Sequence, residues 1–335
     1  MEMIIRWLPL LLIVGCNSDS KKILPEISKI EVSTEIMRFE LAMFNENFTF
    51  DTADLIRLQR DFPEFSKIYF EEILPATDLN YVEGFIKNES IQTLFKKTKE
   101  VYPDLISFEE ECITALKYLK FYFPEIEVPH ITTYISEYQI GSFIYGNNNL
   151  AVGLDFFLGS DYPYADLNPG NSSFSEYMTR SFNKDHLVMK TMAPLVEDIV
   201  GIPEGQRLLD LMIYEGKKLL LKDNILPQVS DTIIMEVSKD QWEWLNSNEF
   251  DIWAYFLDEQ LIFSSDWRKI RKYVEYSPHS PGMPLEAPGR TACFVGWKIL
   301  EQFWKRNPDL SLKQILAITD AQMILDQSRY KPVRG

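Results

Sequence analysis

Histidine is scarce in this 335-residue chain. His130, His186 and His279 are the only three, far apart and in no metal-ligand spacing. A zinc centre of ordinary motif spacing is therefore excluded, and a histidine site would need all three brought together from distant segments. Glycine is sparse as well, at 14 residues, which argues against a chain of many tight hairpins and favours helices. The cysteines are Cys16, Cys112 and Cys293, too few for a disulfide framework. Cys112 and Cys293 either pair in an oxidising compartment or stay as buried thiols. Basic residues fall short of acidic ones, 34 against 50, and the net charge of −16 repels nucleic acid and bare anionic lipid as direct partners. No fixed-length repeat and no linker-like composition break is present.

Apolar and aromatic residues are plentiful: 46% hydrophobic, with 22 Phe, 16 Tyr and 7 Trp, enough for one large core or two modest ones. The N-terminus is a separate matter. Residues 1–15 pair a short charged stretch containing Arg6 with the apolar run "WLPLLLIVG", too short to span a bilayer. The run ends in "LIVGC", which resembles the lipobox cut before a lipidated cysteine, so Cys16 is the expected lipidation site. Its acyl chains suffice for stable anchoring. Asn17 carries no clear sorting signal, and both bacterial membranes stay open. Residues 16–26 then form a polar tether, and residues 27–335 read as one domain.

Within that domain, alternation at Ile27, Ile30 and Val32 predicts an opening strand. Helical spacing follows to about residue 125, clearest in "ISFEEECITALKYLKFYFP". From Pro129 the texture turns β-rich. "FIY" and "LAVGLDFF" flank "GNNN", a hairpin signal, with Asp155 in the second strand and Tyr162 in the acidic aromatic loop beyond it. Helices then resume to the end. The fold class expected is α+β, helix-rich, with a small sheet.

One helix holds a chemical question. In "LLDLMIYEGKKLLLKD", Tyr214–Lys218 has the layout of the H-E-x-x-H zinc-peptidase motif with only the glutamate, Glu215, left. Both histidine positions hold Tyr214 and Lys218, of which a protonated lysine offers no lone pair. Leu209, Met212, Ile213, Gly216, Leu219 and Leu220 form an apolar stripe, so the plain reading is an amphipathic helix with a Glu215–Lys218 surface pair. Pro203 is expected in its first turn. In the alternative, the Lys218 ammonium keeps a positive charge beside Glu215 without a metal's Lewis acidity.

Several segments together, the lipobox, "NNNLAVGLDFFLGSDYPY", "IYEGKKLLLKDNILP" and "EAPGRTACFVGWKILEQF", resemble the gliding motility lipoproteins of the GldB type from Bacteroidetes over roughly residues 16–330. That family in turn looks like a relative of zincin-type zinc proteases. The resemblance implies a zincin-like scaffold with an inactive active-site-type helix, and a cell-envelope component of gliding that works beside the machinery moving and exporting adhesins. It implies no catalysis and no cofactor or metal. Its cleft would be a pseudo-peptidase one, with Tyr214, Glu215 and Lys218 on the floor, Asp155 and Tyr162 nearby, and Arg290 pairing with a cleft acid. Gly289 and Gly296 allow close backbone approach there. An edge strand at Leu150–Leu158 would hold a peptide segment of a partner by backbone pairing. The partners implied are the membrane through Cys16 and other gliding or secretion proteins facing the periplasm. A hydrolase with unorthodox ligands and a solute- or glycan-binding lipoprotein are the rival readings.

Overall fold

The computed structural model describes residues 24–332 except Thr77, together with Arg334. The leader and the predicted lipidation site Cys16 lie outside the described residues. A four-stranded mixed sheet divides the molecule: β1 (Ile36–Arg38), β2 (Ile131–Tyr134), β3 (Ser142–Tyr145) and β4 (Asn149–Gly153), in the order β1-β2-β4-β3. The first three in that order are parallel, and β3 returns antiparallel on β4 through the expected hairpin. Gly146 and Asn148 take positive φ, 54° and 64°, which is why glycine and asparagine stand in that turn.

Successive β residues face opposite sides, so the sheet serves two cores. Tyr134, Tyr145 and Ala151 face a core dense in aromatic rings, built with α1 (Phe39–Met43), α2 (Thr52–Asp61), α3 (Pro63–Ile68), α4 (Leu79–Lys87) and α5 (Glu89–Val101). There Phe39 meets Phe62, Phe65 and Tyr69 at centroid distances of 5.2, 4.9 and 4.7 Å. Ile131, Leu150 and Val152 face a larger, mostly aliphatic core. It gathers α6 (Ile106–Tyr122), α9 (Leu187–Val200), α10 (Leu208–Ile225), α14 (Trp267–Val274), α15 (Thr291–Arg306), α16 (Leu312–Ala317) and α17 (Ala321–Ser328). Between these lie the short α7 (Tyr164–Leu167) and α8 (Glu176–Thr179), and the run α11 (Asp231–Met235), α12 (Lys239–Ser247) and α13 (Glu249–Asp258).

Three expectations are corrected. The opening strand is Ile36–Arg38 rather than 27–32, because that is where the chain meets β2 in register. The stretch Leu150–Leu158 is not an edge strand. Its β part, β4, is paired on both sides by β2 and β3, and residues Leu154–Phe157 turn into a 3-10 helix. No ladder groups are left there to pair with a peptide. Asp155 accordingly sits in that turn, fully buried, and not in a strand.

α10 is the central helix. It starts at Leu208, later than Pro203, because the Asp210 carboxylate accepts the Arg207 backbone N–H at 3.0 Å and closes the N-terminus there. All six residues of the predicted stripe are buried, but so are Lys217 and Lys222. Burial almost all round replaces the expected solvent face. Lys217 is accounted for: its ammonium donates to the Leu316 and Ile318 carbonyls at the end of α16, at 2.9 and 2.6 Å. α10 crosses α15 at Gly216 and Gly296. A Cβ on Gly296 would lie 1.8 Å from the Met212 carbonyl oxygen, and one on Gly216 would lie 2.4 Å from the Gly296 carbonyl carbon. The two backbones touch, and only glycine permits that.

Candidate functional site

Glu215, Lys218 and Lys222 are spaced three and four residues apart and so share one side of α10. They line an open pocket of about 450 Å³ with Arg290 and Tyr276, and Ser172, Ser173 and Tyr177, from the segment leading into and through α8, line it too. Lys218 and Glu215 pair at 2.6 Å, with only 14% and 18% of their side chains exposed. The expected surface pair is thus a largely sheltered one.

Behind the pocket lies a second acid, Glu236, buried at the left-handed C-cap of α11 with φ 59°. It is the hub of a cationic cluster. Lys190 forms an ion pair with it, the Tyr276 hydroxyl donates to Oε1 at 2.5 Å, and Arg290 Nη1 stands 4.0 Å away. Burial works against its charge, but Lys190, Arg290 and Lys222 outweigh burial and hold the carboxyl well below the usual range. Arg290 caps α15 in a left-handed conformation, φ 64°, a strained choice for a residue with a side chain. Its guanidinium donates to the Met235 carbonyl at 3.1 Å and lies over the Tyr276 ring, 4.5 Å from the centroid. Tyr276 keeps 41% of its surface exposed while its hydroxyl reaches inward.

Lys222 differs from its neighbours. Only 7% of it is exposed, and burial pulls its ammonium down to about 8. Among the described residues its ammonium makes no hydrogen bond and no close ion pair, and Glu236 attracts it only from beyond contact. Its ammonium lines the pocket unpartnered. In the sheltered part of the site four cations, Lys190, Lys218, Lys222 and Arg290, face two acids, Glu215 and Glu236. Glu197 and Glu275 stand at the exposed rim.

Of the residues singled out in the sequence, Glu215, Lys218 and Arg290 meet in this pocket. Tyr214 is adjacent but turned away: its hydroxyl donates to the Gly201 carbonyl at 3.0 Å, and the Lys218 ammonium lies 4.6 Å from its ring centroid. Asp155 and Tyr162 do not line the pocket. Asp155 accepts the backbone N–H groups of Ser136 and Tyr138 at 3.0 and 2.8 Å and leaves Oδ1 without a partner. Burial raises its carboxyl to about 6 in spite of those bonds. It holds a turn in which Glu137 and Tyr138 both take positive φ, 57° and 61°. Tyr162 shares a 2.5 Å hydroxyl contact with Tyr138.

The histidines serve separate purposes. His130 is exposed, and His186 Nδ1 bonds Asn183 at 2.9 Å, with burial lowering its imidazole to about 4. Among the described residues no three His, Cys, Asp or Glu side chains are grouped to hold a metal ion. Cys112 and Cys293 are buried free thiols, and burial pushes Cys293 up to about 12. Sequence reasoning missed Lys190, Lys222, Glu236 and Tyr276. Only Lys222 carried a signal, one turn beyond Lys218 on the same side of the helix.

Residues 20–332 match the family model described as gliding motility protein GldB. Comparison with curated proteins and with solved structures finds no match.

Proposed function

The chain belongs to the gliding motility protein GldB family, and on that premise we propose that it is a non-catalytic binding component of the gliding machinery, held in the cell envelope through lipid on Cys16. The observation that carries the reading is the Glu215–Lys218 pair. A glutamate acting as general base needs a free carboxylate facing a polarised water. Here it is engaged by an ammonium of its own helix, with Arg290 and Lys222 beside it. Such a floor attracts and orients charge and supplies no Lewis acid.

The zincin-like ancestry of α10 belongs to the same proposal and rests on the helix alone, since the strand suited to holding a peptide is interior. Binding is therefore assigned to the pocket rather than to a sheet edge. Attachment through lipid on Cys16 is supported by the lipobox and by the family's description as a lipoprotein; among the described residues no helix is long and apolar enough to cross a membrane. The site would face the periplasm, where other gliding or secretion proteins are the partners expected.

Zinc content tests the reading. The chain without its leader and anchor is incubated with zinc, desalted and measured by elemental mass spectrometry. The expected result is no retained zinc. About one zinc held per chain, as in a structural or catalytic centre, would overturn the non-catalytic assignment.

A further inference from the structure

A buried ammonium without a partner is costly, since desolvation is not returned by any bond. Lys222 comes close to that position: its ammonium opens only onto the pocket and has the Glu236 carboxylate beyond contact distance, whereas Lys217 is spent on two carbonyls and Lys218 on Glu215. Arg290 is also incompletely matched. One of its nitrogens serves the Met235 carbonyl, and Glu236, at 4.0 Å, is shared with Lys190 and Tyr276. The sheltered floor thus holds two positive charges more than its acids neutralise, in a protein whose net charge is −16. Glu197 and Glu275 do not change this balance at depth. Both are exposed at the rim, where water and salt screen them.

We propose that this pocket binds a phosphoryl dianion, as inorganic phosphate or a small phosphate monoester, with Lys222 and Arg290 as its charge partners and Ser172, Ser173 and Tyr177 among the residues around it. Three features favour that class. Two excess cations match a group carrying close to two negative charges at neutral pH. Arg290 has guanidinium N–H groups beyond the one given to Met235, and Lys222 is a point charge, the two kinds of cation phosphate sites use. The pocket, about 450 Å³, admits a compact ligand and has Ser172, Ser173 and Tyr177 among its lining residues. The exposed rim acids disfavour large polyanions such as nucleic acid. The inference deepens the reading of the pocket as a binding cleft and rests on it.

The test uses the full mature chain in detergent, with a chelator present so that no bound metal can act as the anion's partner. Thermal unfolding and calorimetric titration are run with inorganic phosphate, glycerol 3-phosphate and citrate, each against chloride at equal ionic strength. Phosphate and glycerol 3-phosphate are expected to raise the unfolding temperature in a saturable way, with citrate well behind. Lys222→Met keeps the stem and removes only the unpartnered charge, so it is expected to fold. It should weaken phosphate binding by about tenfold or more, the value of one charge-assisted bond. Glu275→Gln at the rim should leave binding unchanged or modestly tighter. Phosphate no better than chloride would overturn the proposal. So would equal binding by the wild type and Lys222→Met, or citrate exceeding phosphate. Because the chelator removes metal, failure here is distinct from zinc retention, which tests only the non-catalytic reading.

Discussion

Two buried carboxylates, Asp155 and Glu236, are treated in opposite ways by the same molecule. Both sit beside residues with left-handed backbone: Glu137 and Tyr138 around the first, Glu236 itself and Arg290 around the second. Asp155 faces neutral N–H donors and keeps one oxygen unpaired, so burial raises it to about 6. Glu236 faces Lys190, Arg290 and Lys222, and its charge is locked in. The contrast separates an acid that fastens a turn from one that anchors a cationic cluster better than burial does. Asp155 fastens a turn and, among the described residues, pairs with no cation. Glu236 holds together the cationic floor of a pocket, and its neighbours have more charge than it can satisfy.

The sharpest way to break the comparison is Glu236→Gln. Removing the hub leaves Lys190 and Arg290 facing each other uncompensated, and a loss of about 3 to 5 kcal/mol in urea unfolding is expected. An unchanged midpoint would mean the cluster is solvated and weak. Asp155→Ala comes next, at about 2 kcal/mol, because two buried N–H groups of a strained turn lose their acceptor. Asp155→Asn should cost far less, since its amide oxygen still accepts.

The pH dependence sharpens the contrast further. Asp155 has a folded value above its ordinary 3.8, so its contribution to stability rises as pH falls from about 7 toward 4 and is level below. The full swing is at most about 3 kcal/mol, and Asp155→Asn should abolish it. Glu236 has a folded value below its ordinary 4.5, so its contribution is present above that pH and is lost as pH falls beneath it. His186, lowered to about 4, acts against Asp155 over the same range, so the slopes are read as differences: a wild-type minus Asp155→Asn stability difference that does not fall as pH rises from about 4 to 7 would contradict the assignment. The smallest effect is expected from Glu137→Gly, which relieves a positive-φ residue at an exposed position and should stabilise by up to about 1 kcal/mol.

How much of this was legible follows from how far each feature depends on distant chain. The hairpin at "GNNN", the stripe of α10 and the helix at 106–122 are local patterns, and each appears where the residues place it. Gly296 was marked for close approach to the cleft only through the family resemblance, and it meets α10 directly. The status of β4 was not legible, because edge or interior depends on the strands that pair with it from elsewhere. Glu215 and Lys218 stood out as a motif remnant, and Lys222 was within reach on the same helix side. Lys190, Glu236 and Tyr276 were not. They come from α9, the end of α11 and the loop after α14, and nothing local distinguishes them from surface charges and aromatics. Asp155 misled because "LAVGLDFF" reads as one β-rich run beyond the hairpin turn, whereas the chain turns immediately after Gly153.

The contact between Gly216 and Gly296 reaches further than the packing it was described for. Arg290 enters the pocket from α15, while Lys218 and Lys222 enter from α10, and the approach of those two helices, with the hold of Met235 and Tyr276 on the guanidinium, sets the gap between them. That approach stops only where backbone meets backbone. The spacing of the charges is therefore calibrated at an uncharged point, by two hydrogen atoms standing where side chains would begin. An alanine at either glycine would wedge the helices apart and widen the pocket while leaving every one of its lining residues in place.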